Sequence, residues 1–422
     1  MLNRRLAFVP LIAFGAACAD SPLAPRASQP DAPTLQQSEG RGVFQRYVAI
    51  GTSISMGVQS DGVFFQTQET SWPAQLARLG GREITQPYIQ APGCHAPIAA
   101  PLAAAVRISG EPALADPATL SCAPLVPGVT LPTQNVAING ARAFDALNTT
   151  PENILDLGNK PLYSRVLPPG ATQVSAMEAQ NPKLVSVELG STDVFAARSG
   201  VALVGPPPLP ITAPQTFAAQ YRQILDRIDA VRVKHVLLVG LPTNPFLLPS
   251  FRSGAEIAAQ AVPLLAVFNV AVQPDCATTN AQNQIFVTTK LTLAIAAGVA
   301  AKQANQGPVP FTCAGAPSPT TVDFVLTPAE QAIALAVEAQ LNAVIQGEAA
   351  ARGFAYFSLD ALYAAPGVRT PLDVVALFTS SQPFGPFMSL DGVHPNAAGH
   401  SLIAQAAARA LNQRYDLGIP VF

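Results

Sequence analysis

The chain has 422 residues, of which 49% are hydrophobic and only 12% are charged, a balance typical of a globular protein with a large buried core. Its net charge of −2 provides no electrostatic basis for binding nucleic acid. The sequence motifs of P-loop, Rossmann, zinc-protease and C-x-x-C sites are absent, so we expect no cofactor, no metal and no nucleic-acid partner.

The first residues have the features of a targeting signal. Two arginines precede a short apolar run over residues 6–14, and small residues precede Cys18. Because the run is too short to span a bilayer, residues 1–17 are predicted to be a signal peptide. The segment resembles a bacterial lipoprotein signal, in which the cysteine carries the lipid; ordinary cleavage after Ala17 is the alternative. Either way we expect an exported protein, an outer-membrane or periplasmic lipoprotein or otherwise a secreted one.

The next segment, residues 18–43, is rich in Pro, Ser, Gln and Ala and has no apolar periodicity. This composition predicts a flexible tether, so the folded domain is expected over residues 44–422. Membrane contact is expected only through the lipid on Cys18.

Four short apolar runs in the folded part have about the length of strands that are buried on both faces of a parallel sheet. They cover residues 47–51, 184–189, 235–240 and 354–359, and a weaker candidate covers 83–89. Long helical or irregular stretches separate them. This alternation indicates an α/β protein with a parallel sheet.

Three stretches are predicted as helices, namely residues 215–233, 328–352 and 395–415. The second opens with T-P-A-E, a capping box that has proline at the first helical position. Gly353 follows that stretch and predicts its end.

Three further segments do not fit a minimal sheet with its helices, namely residues 91–134, 199–214 and 243–326. We interpret them as insertions at one end of the sheet, where the loops after the strands build sites in such folds. Their apolar pieces are too short and interrupted to span a membrane.

Four cysteines remain once Cys18 is set aside, and an exported protein allows three ways to pair them. The favoured pairing is local in sequence, Cys94 with Cys122 and Cys276 with Cys313. Each bond then closes one insertion and stabilises the fold by roughly 3–4 kcal/mol on the loop-entropy model. Free buried thiols are the alternative.

Only four histidines are available as a catalytic base, namely His95, His235, His394 and His400. His394 lies between a predicted loop and a predicted helix start, three residues after Asp391. A carboxylate at that spacing orients the ring and stabilises the imidazolium. A loop aspartate beside an exposed histidine is the ordinary alternative for such a pair.

Ser53 follows the first predicted strand directly, and Gly51 allows the backbone to turn tightly before it. A hydroxyl in that place faces a cleft at the end of the sheet, although a serine that caps the following turn is the alternative. The chain contains no G-x-S-x-G, which disfavours the nucleophile elbow of α/β-hydrolases.

Two other segments end near potential hydrogen-bond donors. Gly140, in N-V-A-I-N-G, offers an unhindered backbone N–H, and Thr192, in L-G-S-T-D, follows the second predicted strand. Acyl transfer needs donors of this kind at the developing oxyanion.

These four segments, in this order, resemble the blocks of the SGNH (GDSL-like) hydrolase family. The resemblance implies a three-layer α/β/α sandwich around a five-stranded parallel sheet, and ester hydrolysis without a metal. It implies Ser53 as nucleophile, His394 as base and Asp391 as the orienting acid. It also implies an oxyanion hole made by the N–H groups of Ser53 and Gly140, with Thr192 as a further candidate.

Two positions depart from the family pattern. Thr52 stands where the family usually has aspartate, and Thr192 stands where it has the oxyanion asparagine. Loss of an oxyanion donor lowers the rate by about 10²–10³-fold, but threonine keeps a hydroxyl donor. Both departures leave the Ser–His–Asp set intact.

The predicted function is therefore that of a serine hydrolase acting on lipid or short-chain acyl esters. Two alternatives stay open, a polysaccharide O-deacetylase and a non-catalytic surface lipoprotein that binds glycan or lipid. Thr52 and Thr192 favour the binding protein, whereas the Asp391–His394 pair disfavours it. A purely structural lipoprotein leaves the ordered match unexplained.

Overall fold

The computed structural model describes residues 42–422, so the predicted signal peptide, Cys18 and nearly all of the predicted tether lie outside the described residues. The strands are β1 Tyr47–Gly51, β2 Leu184–Glu188, β3 Val204–Gly205, β4 Ile211–Thr212, β5 His235–Gly240, β6 Phe251–Ser253, β7 Val270–Val272, β8 Gln284–Phe286, β9 Val309–Phe311, β10 Val325–Leu326 and β11 Ala355–Ser358. The α-helices are Ser53–Met56, Phe65–Glu69, Trp72–Leu79, Ala143–Asn148, Lys160–Val166, Gln173–Glu178, Ser191–Phe195, Pro214–Ala230, Gly254–Ala258, Ala261–Phe268, Lys290–Gln303, Pro328–Arg352, Asp360–Tyr363, Val374–Thr379 and Ala397–Tyr415.

The central sheet consists of β1, β2, β5 and β11 in that spatial order, and every neighbouring pair is parallel. All residues of β1 and β2 are buried, because helices cover both faces of the sheet. The four apolar runs that predicted strands are therefore confirmed, with ends that differ by at most one residue.

The sheet has four strands rather than the expected five. Residues 134–138 lie along the free edge of β1, where Val136 N–H donates to Ala49 O (2.9 Å) and Ile138 N–H donates to Gly51 O (3.1 Å). Only Asn135 pairs formally with β1, so this edge segment is not a regular strand. Counting it as second in the chain, the spatial order is 2-1-3-4-5, a doubly wound order.

The weaker strand candidate at residues 83–89 is wrong. Those residues are irregular, and only Ile89 forms a bridge, with Leu125. Pro87 lacks the N–H that a ladder requires.

The three predicted helices are confirmed, with small shifts at their ends. The longest spans Pro328–Arg352 as predicted; the Thr327 hydroxyl accepts from Glu330 N–H, and Gly353 ends the helix at φ +68°. The last helix begins at Ala397 rather than Pro395, because the Asn396 side chain caps its first turn.

Helices pack on the sheet in two groups. Pro214–Ala230 packs against Pro328–Arg352, which contacts β5, while Trp72–Leu79 packs against Ala397–Tyr415, which contacts β5 and β11. The result is an α/β/α arrangement. No helix within residues 42–422 is long and apolar enough to cross a membrane.

The segments interpreted as insertions contain small sheets or disulfides of their own. Residues 243–326 contain the antiparallel sheet β10–β8–β6 and the parallel pair β7–β9, and residues 199–214 contain the pair β3–β4. Disulfides join Cys94 to Cys122 and Cys276 to Cys313, which is the local pairing that the sequence favours.

Candidate active site

The turn that carries Ser53 is built around one buried carboxylate. Glu188, at the end of β2, accepts from the N–H (3.0 Å) and hydroxyl (2.9 Å) of Thr52. It also accepts from the N–H (3.3 Å) and hydroxyl (3.0 Å) of Ser55. Gly51 is required here, because a Cβ would lie 2.5 Å from the Ser55 hydroxyl. These contacts set Ser53 at the first position of a short helix, directly after β1.

Glu188 explains the departure at position 52. The family's aspartate would bring a second carboxylate against Glu188, whereas Thr52 supplies two donors to it. Burial raises the pKa of Glu188 above its usual 4.5, and the hydrogen bonds from Thr52 and Ser55 oppose that effect. The family pattern has a carboxylate in the turn itself, at the position of Thr52. Here Glu188, on the neighbouring strand, supplies the carboxylate to that turn.

His394 and Asp391 form a close pair. The imidazole Nδ1 lies 2.7 Å from Oδ2 of Asp391, and both side chains are mostly buried. Burial by itself lowers the pKa of His394, but the charge and hydrogen bond of Asp391 raise it above 6.5. Burial raises the pKa of Asp391, yet His394 and backbone N–H groups outweigh it and lower the value to about 2.

The loop of Asp391 is held from the segment 91–134. Asp61 N–H donates to Oδ2 of Asp391 (2.6 Å), and Arg107 donates to the Asp61 carboxylate (2.6 Å). The Arg107 side chain is 2% exposed and also donates to the carbonyl oxygens of Ala96 and Ala113. Arg107 of the disulfide-closed insertion therefore contacts Asp61, and Asp61 in turn contacts Asp391.

The other three histidines do not resemble a catalytic base. His235 lies edge-on against the Tyr415 ring, and His400 is fully buried without hydrogen bonds. Burial, together with the charge of His394, lowers the pKa of His400 to about 3. His95 lies in the 91–134 segment, where burial lowers its pKa.

A cleft at the carboxyl ends of the strands brings three of the candidate residues together. Ser53, His394 and Thr192 line it, in company with Ser191 and Glu338. The rest of the wall is mainly apolar and includes Ile54, Val194, Phe195, Pro245, Leu248 and Leu359.

Gly140 is placed differently from the other candidates. It follows the edge segment beside β1, adopts φ +78°, and has Asn159 so close that a Cβ would lie 2.8 Å from its amide nitrogen. It does not line the cleft. Its N–H donates no hydrogen bond to any part of the chain that the structure describes.

Five polar residues of the site were missed by sequence reasoning, namely Asp61, Arg107, Glu188, Ser191 and Glu338. Two of them carry a signal in the sequence: Glu188 is a charge inside an apolar run, and Glu338 occupies a core position of a helix. The other three owe their roles to contacts that are distant in sequence. Within residues 42–422, no group of three acidic, His or Cys side chains is placed to hold a metal ion.

The fold is α/β, and its cleft contains a serine and a histidine that is paired with a carboxylate. The sequence profile of the family described as GDSL-like Lipase/Acylhydrolase matches residues 47–407, and the chain belongs to this family of ester-hydrolysing enzymes. A solved structure, the extracellular lipase of Streptomyces rimosus, is similar at 17% identity and a TM-score of 0.36, over 87% of this chain and 98% of that one. No curated protein sequence matches the chain.

Proposed function

We propose that the chain is a serine esterase that hydrolyses lipid or short-chain acyl esters. One observation carries the proposal: Ser53 and His394 line one cleft, and His394 is paired with a carboxylate that accepts four further hydrogen bonds. In this proposal Ser53 is the nucleophile, His394 the general base and Asp391 the orienting acid.

The tautomer of His394 determines the direction of proton transfer. Asp391 holds the proton on Nδ1, which leaves Nε2 as the basic nitrogen. Nε2 takes the Ser53 proton as the oxygen attacks the ester carbonyl, and then gives it to the departing alcohol. A water molecule, deprotonated by the same nitrogen, attacks the acyl-enzyme and releases the acid.

The oxyanion is proposed to be stabilised by the backbone N–H groups of Ser53 and Gly140 and by the Thr192 hydroxyl. Thr192 lines the cleft. Gly140 does not, and its inclusion rests on the resemblance to the family and on its free N–H. The Ser191 hydroxyl is buried, lacks a partner within the described residues and lines the same wall, so it can supplement Thr192. The hydroxyls of Thr192 and Ser191 would thus take the place of the side-chain amide of the family's oxyanion asparagine.

The cleft's composition supports carboxylic esters over polysaccharide acetyl groups. Most of its lining is apolar, and apolar walls favour an acyl chain over a hydrated glycan. We propose a small-molecule or lipid ester as the substrate.

The first test is labelling of the purified protein with a fluorophosphonate probe, together with hydrolysis of 4-nitrophenyl butyrate. Ser53→Ala should abolish labelling and lower kcat by about 10⁴-fold or more, while its unfolding transition stays cooperative. Ser401→Ala, a serine of the last helix far along the chain, serves as the control. Unchanged labelling of the Ser53 variant would refute the mechanism, and a folded protein that never labels would favour the binding-protein alternative.

Export as a lipoprotein is also proposed, from Cys18 and the signal-like segment before it. The two disulfides fit an exported protein. Incorporation of labelled palmitate in a bacterial host should depend on Cys18, and incorporation that persists in Cys18→Ser would contradict the anchor.

A further inference from the structure

The proposed mechanism leaves one acidic side chain on the cleft wall without a role. Glu338 lines the cleft, is 4% exposed, and its Oε2 has no hydrogen-bond partner within residues 42–422. Its charged neighbour is Asp360, which has the same sign. The carboxylate that pairs with His394 is Asp391, and the unpartnered Oε2 of Glu338 forms no hydrogen bond with the imidazole.

Glu338 occupies a position where an apolar side chain would be expected. The buried stripe of the Pro328–Arg352 helix otherwise consists of Ala334, Val337, Leu341, Ile345 and Ala349. A carboxyl group on that stripe is unfavourable unless it finds a hydrogen-bond partner. Burial, and then the charge of Asp360, raise the pKa of Glu338 well above its usual value. Burial thus favours the neutral acid, which has one O–H donor and free acceptor capacity.

We propose that Glu338 recognises a hydroxyl group carried by the substrate near the scissile bond, so that the preferred substrates are esters of hydroxy acids or monoesters of diols. This inference rests on the esterase proposed above and names the substrate class of the same cleft. A hydroxyl both donates and accepts, as a protonated carboxyl does, so it can hydrogen-bond to Glu338 in both directions.

Other polar groups fit less well. A substrate carboxylate would meet the acid Glu338, which forms no ion pair with any cation in the part of the chain that the structure describes. A substrate amine would require Glu338 to ionise on a mainly apolar wall, which is the form that burial disfavours. A neutral hydroxyl needs no buried charge.

The test compares matched esters on the purified enzyme and on two variants. One arm uses methyl hexanoate, methyl 3-hydroxyhexanoate and methyl 6-hydroxyhexanoate, and the other uses butyl and 4-hydroxybutyl butyrate. We expect the wild type to favour a hydroxylated ester in at least one arm by about fivefold or more in kcat/KM. Glu338→Gln keeps a donor and an acceptor and should retain that ratio, whereas Glu338→Leu should bring it to about one.

A hydroxyl preference that survives Glu338→Leu in both arms, or that is absent from the wild type, overturns the inference while esterase activity stands. Faster hydrolysis of methyl 6-aminohexanoate than of the 6-hydroxy ester also overturns it. Binding supplies a readout without turnover, because Ser53→Ala should bind 3- or 6-hydroxyhexanamide more tightly than hexanamide, and the added Glu338→Leu change should remove the difference. If no ester is hydrolysed, the esterase proposal fails and this binding difference still decides the inference.

Discussion

The two halves of the proposed catalytic site are held by different kinds of support. The turn of Ser53 is fastened to Glu188, a carboxylate that is 1% exposed at the end of a central strand and is surrounded by neutral donors. The loop of His394 is hydrogen-bonded to Asp61, which forms an ion pair with Arg107. The Asp61 side chain is 52% exposed, and Arg107 belongs to an insertion. Glu188 thus belongs to a strand of the central sheet, whereas the Asp61–Arg107 ion pair lies outside the strands, at what we call the rim of the sheet.

This difference assigns different roles to the two supports. A carboxylate buried in the sheet contributes to folding itself, because its partners have no water to replace the lost hydrogen bonds. An ion pair at the rim can be altered while the core remains intact, so its contribution should be mainly to the position of Asp391. We expect changes at the first support to unfold the protein and changes at the second to slow it.

The largest effect is expected from Thr52→Asp, which restores the residue that the family usually has. Two carboxylates would then meet in a buried turn, and one must take up a proton. We expect the free energy of unfolding to fall by about 3–5 kcal/mol in urea titrations. Thr321→Asp, on an exposed loop, should change it by less than about 0.5 kcal/mol.

The explanation requires the two carboxylates to be the cause. Adding Glu188→Gln to Thr52→Asp should therefore recover part of the loss. A Thr52→Asp protein as stable as the wild type would show that Glu188 does not determine the residue at position 52.

The next largest effect separates the two disulfides. They span 28 and 37 residues, so removing either by paired Cys→Ser changes should destabilise the protein by about 3.5–4 kcal/mol on the loop-entropy model. Only loss of Cys94–Cys122 should also lower kcat at a temperature where both variants are folded, since that insertion carries Arg107. Equal kcat losses in the two variants would contradict the assignment of the rim support to the first insertion.

A smaller effect is expected from Arg107→Met. Asp61 loses its partner and holds Asp391 less firmly, so kcat should fall by about tenfold while KM changes little. Arg252→Met is the matched control, because Arg252 is equally buried at 2% exposed and pairs with Glu256 in the other insertion. The control should lose stability without the same loss of kcat; the reverse pattern would reject Arg107 as a positioning residue.

The smallest effect concerns pH. The proposed base His394 acts only when neutral, and Asp391 raises its pKa above 6.5, so kcat/KM should rise with pH through a midpoint above 6.5. The charge of Asp61 adds to that elevation and Arg198 opposes it, hence Asp61→Asn should move the midpoint to lower pH. The control Glu83→Gln, an exposed and distant change, should leave the midpoint of the pH profile unchanged. A midpoint that does not move in Asp61→Asn would show that Asp61 does not affect the pKa of His394.

Much of the fold could be predicted because its signals are local. The strand of residues 47–51 shows as an uninterrupted apolar run, and the helix of residues 328–352 has its own capping box and terminal glycine. The fifth strand could not be located, because the segment at residues 134–138 is held by backbone bonds to β1 and has no distinctive pattern of its own. Residues 83–89 show the opposite case, a mixed stretch with a strand-like part that contains Pro87, lacks one backbone N–H and stays irregular.

For the site, the sequence by itself determined the candidates: a serine after the first strand and the D-x-x-H pair. Only the tertiary structure decided what holds and surrounds them. Glu188 reaches Thr52 across 136 residues, Asp61 reaches Asp391 across 330, and Glu338 lines the same cleft as Ser53 and His394. The physical reason is that a motif reports the groups that react, whereas the burial and hydrogen bonds that tune them come from chain segments that meet only on folding.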